Sequence, residues 1–505
     1  MRSVLAVVGM AGYCASPGYA QTTDEPGTRR AWSVAPRVGV TQTFTDNVDL
    51  GSAAKQADQL TEITPGIRLQ GESARIKAYV DYALRNFVSA NDSRRNRSQN
   101  ALTSFGTFEA VDKWLFIDAS GSISQQTISA FGTQSPSAAN TNANSTETST
   151  FRLSPYVRGR IGTLADYDAR YSRSETRSSS ALAANVASDD LTGQLNGTFT
   201  GPLSWSLNGS RQVIAYGSGI KNEADRLGSR LNYRYDAELS GFISLGTEAN
   251  NYSTAGKKSY SNAGFGGEWT PTERTKLSAS RERRSFGNSH SIAFTHRTPL
   301  SAWRFTDSRS VTALPNQSSS TGLGTYYDLF FSQLASSVPD PIARAQQVNT
   351  LLQQSGISPN AVITQGYLTS RLSVQRRQDL SFTLNGLRNT VTYTLFQTDS
   401  QTLSSGGPSI ADDFSRSASL KTRGMSSNFS HRLTPFSSLN MLSSWSRVSG
   451  SAGGLTSTQK TFNLNVSSRF SPKLNGTLGV RATIFDGSVN AYRENAVVGT
   501  VTAQF

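Results

Sequence analysis

Apolar and polar residues alternate in successive short blocks from residue 32 to residue 505, and this pattern constrains the chain more than any other feature. Successive residues of a strand point to opposite sides of a sheet, so each block predicts one strand with two different environments. A disordered polar chain has no reason to place apolar residues at every second position. The last block has one small or apolar face and one mostly polar face: Val497, Gly499, Val501, Ala503 and Phe505 against Val498, Thr500, Thr502 and Gln504.

Hydrophobic residues make up 36% of the chain, and after the first residues no segment approaches the ~20 consecutive apolar residues that a membrane helix needs. A crossing of the membrane must therefore use strands. A soluble sandwich also alternates, but it needs a second sheet to cover its apolar side. A closed barrel satisfies every backbone group in lipid and leaves no edge. We therefore predict an all-β fold, a large antiparallel transmembrane β-barrel.

Residues 1–20 have the features of a secretory signal peptide, with Arg2, an apolar run at 4–11 and a cleavage point before Gln21. Cleavage would remove Cys14, which is the chain's only cysteine, so neither disulfides nor thiol catalysis are expected in the mature protein. Residues 21–31 are interpreted as a polar periplasmic leader. Residues 32–505 then form the barrel.

Proline-containing turns are expected at 200–202, 270–272, 298–300, 434–435 and 471–473 because proline cannot continue a strand ladder. Longer polar connections alternate with them, at roughly 88–97, 127–144, 178–188, 215–223, 312–365, 404–411 and 449–456. Short periplasmic turns and longer external loops are typical of outer-membrane barrels. The pattern predicts about 22 strands, an even number that places both termini in the periplasm.

The longest connection, 312–365, carries a helical pattern that Pro339-Asp340-Pro341 interrupts. One interpretation is an external cap that packs on its own apolar face. Another folds the insert into the lumen as a constriction, with candidate residues Phe330, Leu334, Arg344 and Val348. Docking to a partner is a third. In the second case, deleting residues 320–358 should enlarge the single-channel conductance.

The chain carries a formal net charge of +14, and a set of cationic side chains falls on the faces expected to line the lumen. They would favour anionic solutes, or they would pair with carboxylates across the wall. No basic cluster interleaves with stacking aromatics, so nucleic-acid binding is not expected. The candidate lumen cations are Arg75, Lys77, Arg85, Arg152, Arg158, Arg160, Arg230, Arg234, Arg371, Arg469 and Arg481.

The sequence offers few residues of the kinds that catalytic sites use. The chain has 3 histidines, His290, His296 and His431, too few for a multi-histidine metal site and a weak basis for a triad. No phosphate-binding or dinucleotide-binding glycine loop stands between a strand and a helix. We expect no catalytic residues, no metal and no cofactor.

Four short motifs carry a resemblance to a known family. They are Phe44-Thr45-Asp46-Asn47-Val48, Pro339-Asp340-Pro341 with Arg344, Gly386-Leu387-Arg388-Asn389-Thr390, and Arg493-Glu494-Asn495-Ala496. With them the mature chain resembles the outer-membrane β-barrel proteins associated with PEP-CTERM sorting systems, although Phe44 stands where tyrosine is expected. The resemblance implies a role in exopolysaccharide export or secretion. It supplies no catalytic residues.

The expected function is an outer-membrane channel or secretion component for exopolysaccharide. A general or anion-preferring porin is one alternative, and a structural barrel that organises envelope partners is another. Expected partners are outer-membrane lipid, lipopolysaccharide phosphates, exopolysaccharide and its periplasmic export proteins. Phe505 resembles the C-terminal signal that the barrel-assembly machinery reads.

Overall fold

The computed structural model describes residues 32–312 apart from 53, 181–184, 200, 218 and 255, then 344, 348, 367–368, 371–403 and 412–505 apart from 452–453. These residues form one 22-stranded antiparallel sheet. They also form a 3-10 turn at Ser93–Arg95 and a short helix, α1, at Asp413–Arg416. Among the described residues, no helix is long and apolar enough to cross a membrane.

The strands follow one another around the sheet in chain order. They are β1 (Trp32–Thr45), β2 (Asp58–Glu72), β3 (Ile76–Ser89), β4 (Arg97–Val111), β5 (Leu115–Thr127), β6 (Ser145–Ile161), β7 (Ala165–Ser178), β8 (Val186–Thr198), β9 (Leu203–Tyr216), β10 (Lys221–Arg234), β11 (Leu239–Asn250), β12 (Lys258–Thr272), β13 (Thr275–Arg284), β14 (Gly287–Arg297), β15 (Ser301–Thr312), β16 (Ser373–Asn385), β17 (Asn389–Thr402), β18 (Ser419–Arg432), β19 (Ser437–Gly450), β20 (Thr456–Ser471), β21 (Leu474–Gly487) and β22 (Ala491–Gln504).

The sheet closes on itself because β1 pairs with β2 on one side and with β22 on the other. The closing register runs from Arg37 opposite Gln504 to Thr45 opposite Ala496. The backbone N–H of Phe505 adds a last bond to the carbonyl of Pro36, at 2.9 Å. Closure leaves no strand edge exposed. The prediction of a large antiparallel barrel is confirmed.

The two faces of each strand meet the two environments that the alternation predicts. On β1, Val34, Val38 and Val40 are exposed on the outer wall, while Thr43 and Thr45, at alternate positions further along the strand, are buried inside. Residues directly opposite one another in the ladder share a face, so this assignment passes from strand to strand around the barrel. The result is an apolar outer band around a polar interior, as in outer-membrane barrels.

The connections differ between the two ends of the barrel. The end where β1 begins and β22 ends, the turn end, has tight turns at 73–75, 112–114, 162–164, 199–202, 235–238, 273–274, 298–300, 386–388, 433–436 and 472–473. The opposite end, the loop end, has connections at 46–57, 90–96, 128–144, 179–185, 217–220, 251–257, 285–286, 313–372, 403–418, 451–455 and 488–490.

The turn predicted at 270–272 lies at 273–274 in the structure, because β12 continues to Thr272. A register shift between Trp269 and Thr272 accommodates Pro271, which has no N–H to donate. The sequence did not single out the connection between β13 and β14 at the loop end, which is only residues 285–286. There, Arg284 and Arg309 stack on the ring of Phe286.

Several loops fold inward at the loop end and bury apolar side chains there. One cluster joins Ala130 and Phe131 to Phe414, Leu420 and Val448. A second packs Leu372 on Val186, Ile214 and Tyr216, and a third joins Leu50 to Phe485 and Tyr492. The buried apolar clusters among the described residues thus lie where loops meet the inner wall.

Candidate functional site: the lumen and its loop-filled end

The 128–144 loop, which connects β5 to β6, lies against the inner wall at the loop end. Arg97 on β4 donates from Nη2 to the carbonyls of Ala138, Ala139 and Asn140, at 2.6, 2.7 and 3.1 Å. The barrel closes between β1 and β22, and β20 lies across this junction from β4. There the Ser457 hydroxyl of β20 donates to the carbonyl of Ala130 at 2.8 Å. The loop therefore spans part of the lumen cross-section between β4 and β20.

Glu494 on β22 is the centre of the polar contacts that hold this loop. Its carboxylate is fully buried and accepts hydrogen bonds from Thr45 Oγ1 at 3.0 Å, Asn140 Nδ2 at 2.8 Å and Arg481 Nη2 at 2.8 Å. The Arg481 side chain is 10% exposed. A buried charge needs this degree of pairing to be tolerated. One carboxylate thus joins β1, β21, β22 and the 128–144 loop.

Two of the motifs quoted above meet beside Glu494, where the barrel closes. Asn47 donates from Nδ2 to the carbonyls of Gly51, at 2.8 Å, and Arg493, at 3.1 Å. Asp46 accepts from the backbone N–H of Asn495 at 2.7 Å. Burial opposes ionisation of Asp46, but bonds from Asn495 and Lys55 outweigh it and lower its pKa. The residues around 44–48 and 493–496 are therefore one structural unit.

A second anchor of the 128–144 loop comes from the 403–418 loop. The Asp413 carboxylate accepts from Ser129 Oγ at 2.5 Å and from the backbone N–H of Ala130 at 2.6 Å. Burial raises the pKa of Asp413 above its ordinary value of 3.8, although these two hydrogen bonds offset part of the rise. Phe131 is fully buried against Phe414 in the same contact. Apolar packing and hydrogen bonds therefore hold the loop in place together.

A polar recess of about 260 Å³ opens along β8 to β13. Arg230 stacks over the inward Phe242 ring, with 4.0 Å from the guanidinium carbon to the ring centroid, and Arg226 forms an ion pair with Glu282. A Cβ on Gly246 would lie 2.5 Å from the carbonyl oxygen of Leu227, so only glycine fits this flat floor. The polar side chains lining the recess are Gln194, Ser206, Asn208, Arg226, Arg230, Ser244 and Glu282.

The predicted lumen cations fall into two groups in the structure. The paired ones contact a carboxylate: Lys77 with Glu72 at 3.0 Å, Arg85 with Glu62 at 2.6 Å, Arg160 with Asp166 at 2.9 Å, Arg371 with Asp412 at 3.2 Å and Arg481 with Glu494 at 2.8 Å. Four of these pairs neutralise local charge on the wall. Arg371 and Asp412 lie in the 313–372 and 403–418 connections, so Arg371 is not on an inner-wall strand as predicted. The structural pairing that the sequence left open therefore applies to them.

The other strand cations of that set are inward and have no ion pair within the described part of the chain. Arg152 bonds to Ser154 and Ser172, Arg158 stacks on Phe116 at 4.3 Å, Arg230 on Phe242 at 4.0 Å and Arg469 on Phe436 at 5.6 Å, and Arg234 is exposed. Arg75 does not lie on the inner wall as predicted. It is exposed in the 73–75 turn because the chain must reverse there before β3 begins.

Replacing Arg158, Arg230 and Arg234 together with glutamine should lower the preference of the pore for anions. These three guanidinium groups face the lumen without a carboxylate, so they contribute net positive potential to it. The reversal potential across a salt gradient measures the change. Arg211→Gln on the outer wall is the control and should leave the potential unchanged. An unaltered potential in the triple variant would assign the three arginines to scaffolding.

The candidate constriction residues are only partly within the described chain. Phe330 and Leu334 lie outside the described residues. Arg344 and Val348 have helical backbone, and the Val348 side chain is fully buried. Tyr367 bridges to Thr127 on β5, which ties the end of the long connection to the inner wall. Whether the insert constricts the pore remains a prediction for the deletion of 320–358.

The sequence did not predict the partners of several inner-wall residues. Asp81 accepts from Arg37 and Arg68 together, and Arg284 pairs with the buried Glu248 at 2.9 Å. Their partners depend on strand register, which alternation does not determine. Glu494 was within a quoted motif, and its charge at an inward position between Tyr492 and Ala496 was the available signal.

The histidines take ordinary polar contacts on the strands. His290 Nε2 lies 2.9 Å from Asp307, His296 Nδ1 lies 2.8 Å from Thr275 Oγ1, and His431 Nδ1 lies 2.6 Å from Asn389 Oδ1. Within the described ranges no three histidine, cysteine, aspartate or glutamate side chains are grouped as metal ligands.

Comparison with known proteins establishes the fold. No family model matches the chain, and no curated protein matches its sequence. The FrpB iron transporter of Neisseria meningitidis (F5-1 variant) has a TM-score of 0.52 at 11% identity, over 95% of this chain and 83% of that one. Its apoprotein form has a TM-score of 0.50 at 11% identity, over 95% and 82%. This likeness is one of fold alone, and the fold is that of an outer-membrane β-barrel.

Proposed function

We propose that this chain is an outer-membrane channel for a large polar solute, and that the solute is an exopolysaccharide handled by a PEP-CTERM-associated system. The observation that carries the proposal is the recess along β8 to β13. Its amides, hydroxyls and arginines offer donors and acceptors to a hydroxyl-rich chain, and the Arg230–Phe242 stack offers a flat surface to a sugar ring. The motif resemblance supports the same class of cargo.

The 128–144 loop fits a channel that is held shut until its cargo or a partner arrives. Its polar anchors are hydrogen bonds, which exchange more readily with water or a polar ligand than an apolar seal does. In this proposal the turn end faces the periplasm, where export proteins dock. Phe505, which is 67% exposed at that end, is available to the barrel-assembly machinery.

Planar-bilayer recordings with purified oligosaccharides of the exported polymer test the proposal. They should block the wild-type current, and Phe242→Ala with Arg230→Gln should weaken that block several-fold. The matched control is Ile243→Ala, which removes an outward side chain next to Phe242 on the same strand, away from the recess. Equal block in all three proteins would contradict a saccharide site in the recess.

An anion-preferring porin is the second candidate, and the inward arginines without carboxylate partners favour it. Block by small anions with no effect of oligosaccharides would select this alternative. A structural barrel is the third, favoured by the loops that fill the loop end. Absence of any conductance, even after removal of the 128–144 loop, would select that one.

A further inference from the structure

The outer wall near the loop end carries a group of three exposed cations, Arg423, Arg447 and Lys460, which we term the basic patch. Arg423 on β18 stands directly opposite Arg447 on β19. Lys460 on β20 stands opposite Trp445, two residues from Arg447. All three share the face of Met425, which is 53% exposed on the outer wall. The patch thus belongs to the outer surface, not to the lumen.

The positive charge of the basic patch is not compensated by the protein. In the described chain, none of the three side chains forms an ion pair with a carboxylate. The outward carboxylates on neighbouring strands are Asp399, whose partner is Lys421 at 3.6 Å, and Asp486, opposite Thr458. Like charges directly opposite each other on a sheet are destabilising. An anion bound between the strands would relieve this repulsion.

The opposite side of the same outer wall shows that such compensation is available elsewhere. On β7 to β10, Arg173 contacts Glu175 at 3.1 Å and Asp189 at 2.9 Å. Lys257 likewise contacts Glu223 at 2.9 Å and Asp225 at 2.6 Å. Charges at the same end of the barrel are therefore neutralised on one arc and left positive on the other. The difference marks the basic patch as a place for an external anion.

The position of the basic patch limits what that anion is. Moving along β18 and β20 towards the turn end, the next outward large side chains are Met425 and Phe462, which are 53% and 39% exposed and belong to the apolar band. A ligand at this boundary meets cations and apolar surface at once. A free phosphate would use only the cations. A lipid with phosphate on its head group uses both.

We propose that the basic patch binds the phosphate groups of lipid A in the outer leaflet. Arg423, Arg447 and Lys460 hold the phosphates, and Met425, Trp445 and Phe462 contact the acyl chains. Paired arginines suit phosphate because each guanidinium donates two parallel hydrogen bonds. The inference rests on the outer-membrane placement of the barrel and not on the identity of its cargo.

Native mass spectrometry of the full-length mature protein in detergent, titrated with diphosphoryl lipid A, tests the inference. The triple variant Arg423→Gln, Arg447→Gln, Lys460→Gln should bind at least about tenfold more weakly than wild type, since each cation near a lipid surface contributes independently. The control variant Arg173→Gln, Arg177→Gln, Arg211→Gln removes the same charge from the other arc and should bind like wild type. Heat-modifiable migration on gels verifies that both fold.

Three results would overturn the inference. They are equal affinity in wild type and the patch variant, equal loss in both triple variants, and equal affinity for lipid A stripped of its phosphates. Displacement of lipid A by an equal concentration of phosphatidylglycerol would also overturn the assignment to lipid A. Conductance without any saccharide block would refute the proposed cargo and leave these affinities untouched, so the two proposals fail separately.

Discussion

Replacing residues 129–143 by a short Gly-Ser linker should raise the single-channel conductance at least about twofold, because a 22-stranded barrel without inserted segments leaves a wide lumen. Thr127 and Ser145 already face each other across β5 and β6, so a short hairpin can close the gap. The structure holds this loop inside the barrel from both β4 and β20. Planar-bilayer recording of wild type and variant measures the change.

Three further variants separate the contributions to the obstruction. Deletion of 320–358 alone reports on the long connection, and both deletions together report whether the two segments act independently. Arg97→Met keeps the loop at full length but removes three carbonyl contacts, and should produce frequent brief openings. An unchanged conductance after loss of 129–143 would show that the loop lines the wall without obstructing the pore.

Glu494→Ala should lower the free energy of unfolding by about 3–5 kcal/mol, the usual cost of removing one partner of a buried ion pair. The substitution leaves Arg481 buried and charged, and it also removes acceptors from Thr45 and Asn140. Guanidinium unfolding in lipid vesicles, followed by tryptophan fluorescence, measures the difference.

The controls distinguish the buried pair from a general effect of charge. Asp166→Ala breaks the Arg160 pair, whose side chains are 69% and 62% exposed, and should change stability by no more than about 1 kcal/mol. The double variant Arg481→Met, Glu494→Met removes both charges and should recover most of the loss. Equal destabilisation by Glu494→Ala and Asp166→Ala would show that Glu494 is not the centre of the closing junction.

The fold was predictable because it follows from local periodicity and from a requirement of the membrane. Val497, Val501 and Phe505 alternate with polar residues, and a two-sided strand in lipid has to be paired on both edges. Turns such as 200–202 and 298–300 could be predicted because proline and glycine interrupt strands through their local backbone preferences. Arg75 shows the limit of this reasoning, since the alternation begins one residue before β3, while the chain is still in the 73–75 turn.

The lumen could be predicted only in part. Parity alone places Arg158, Arg230 and Arg481 on inward positions. Which of them is paired depends on the register between neighbouring strands, which alternation does not determine. Arg481 meets Glu494 through one register, while Arg230 meets a phenylalanine instead of a carboxylate.

By itself the sequence determined which residues face outward, how often the chain reverses and that the sheet has to close, because these depend on neighbours one or two residues away. Only the tertiary structure decided that the polar 128–144 loop enters the barrel, that residues 44–48 join residues 493–496, and that charge is balanced on one arc of the outer wall and unbalanced on another. The first two outcomes depend on contacts between segments hundreds of residues apart, which form only once the first strand meets the last. The third depends on the register of neighbouring strands, which alternation does not determine.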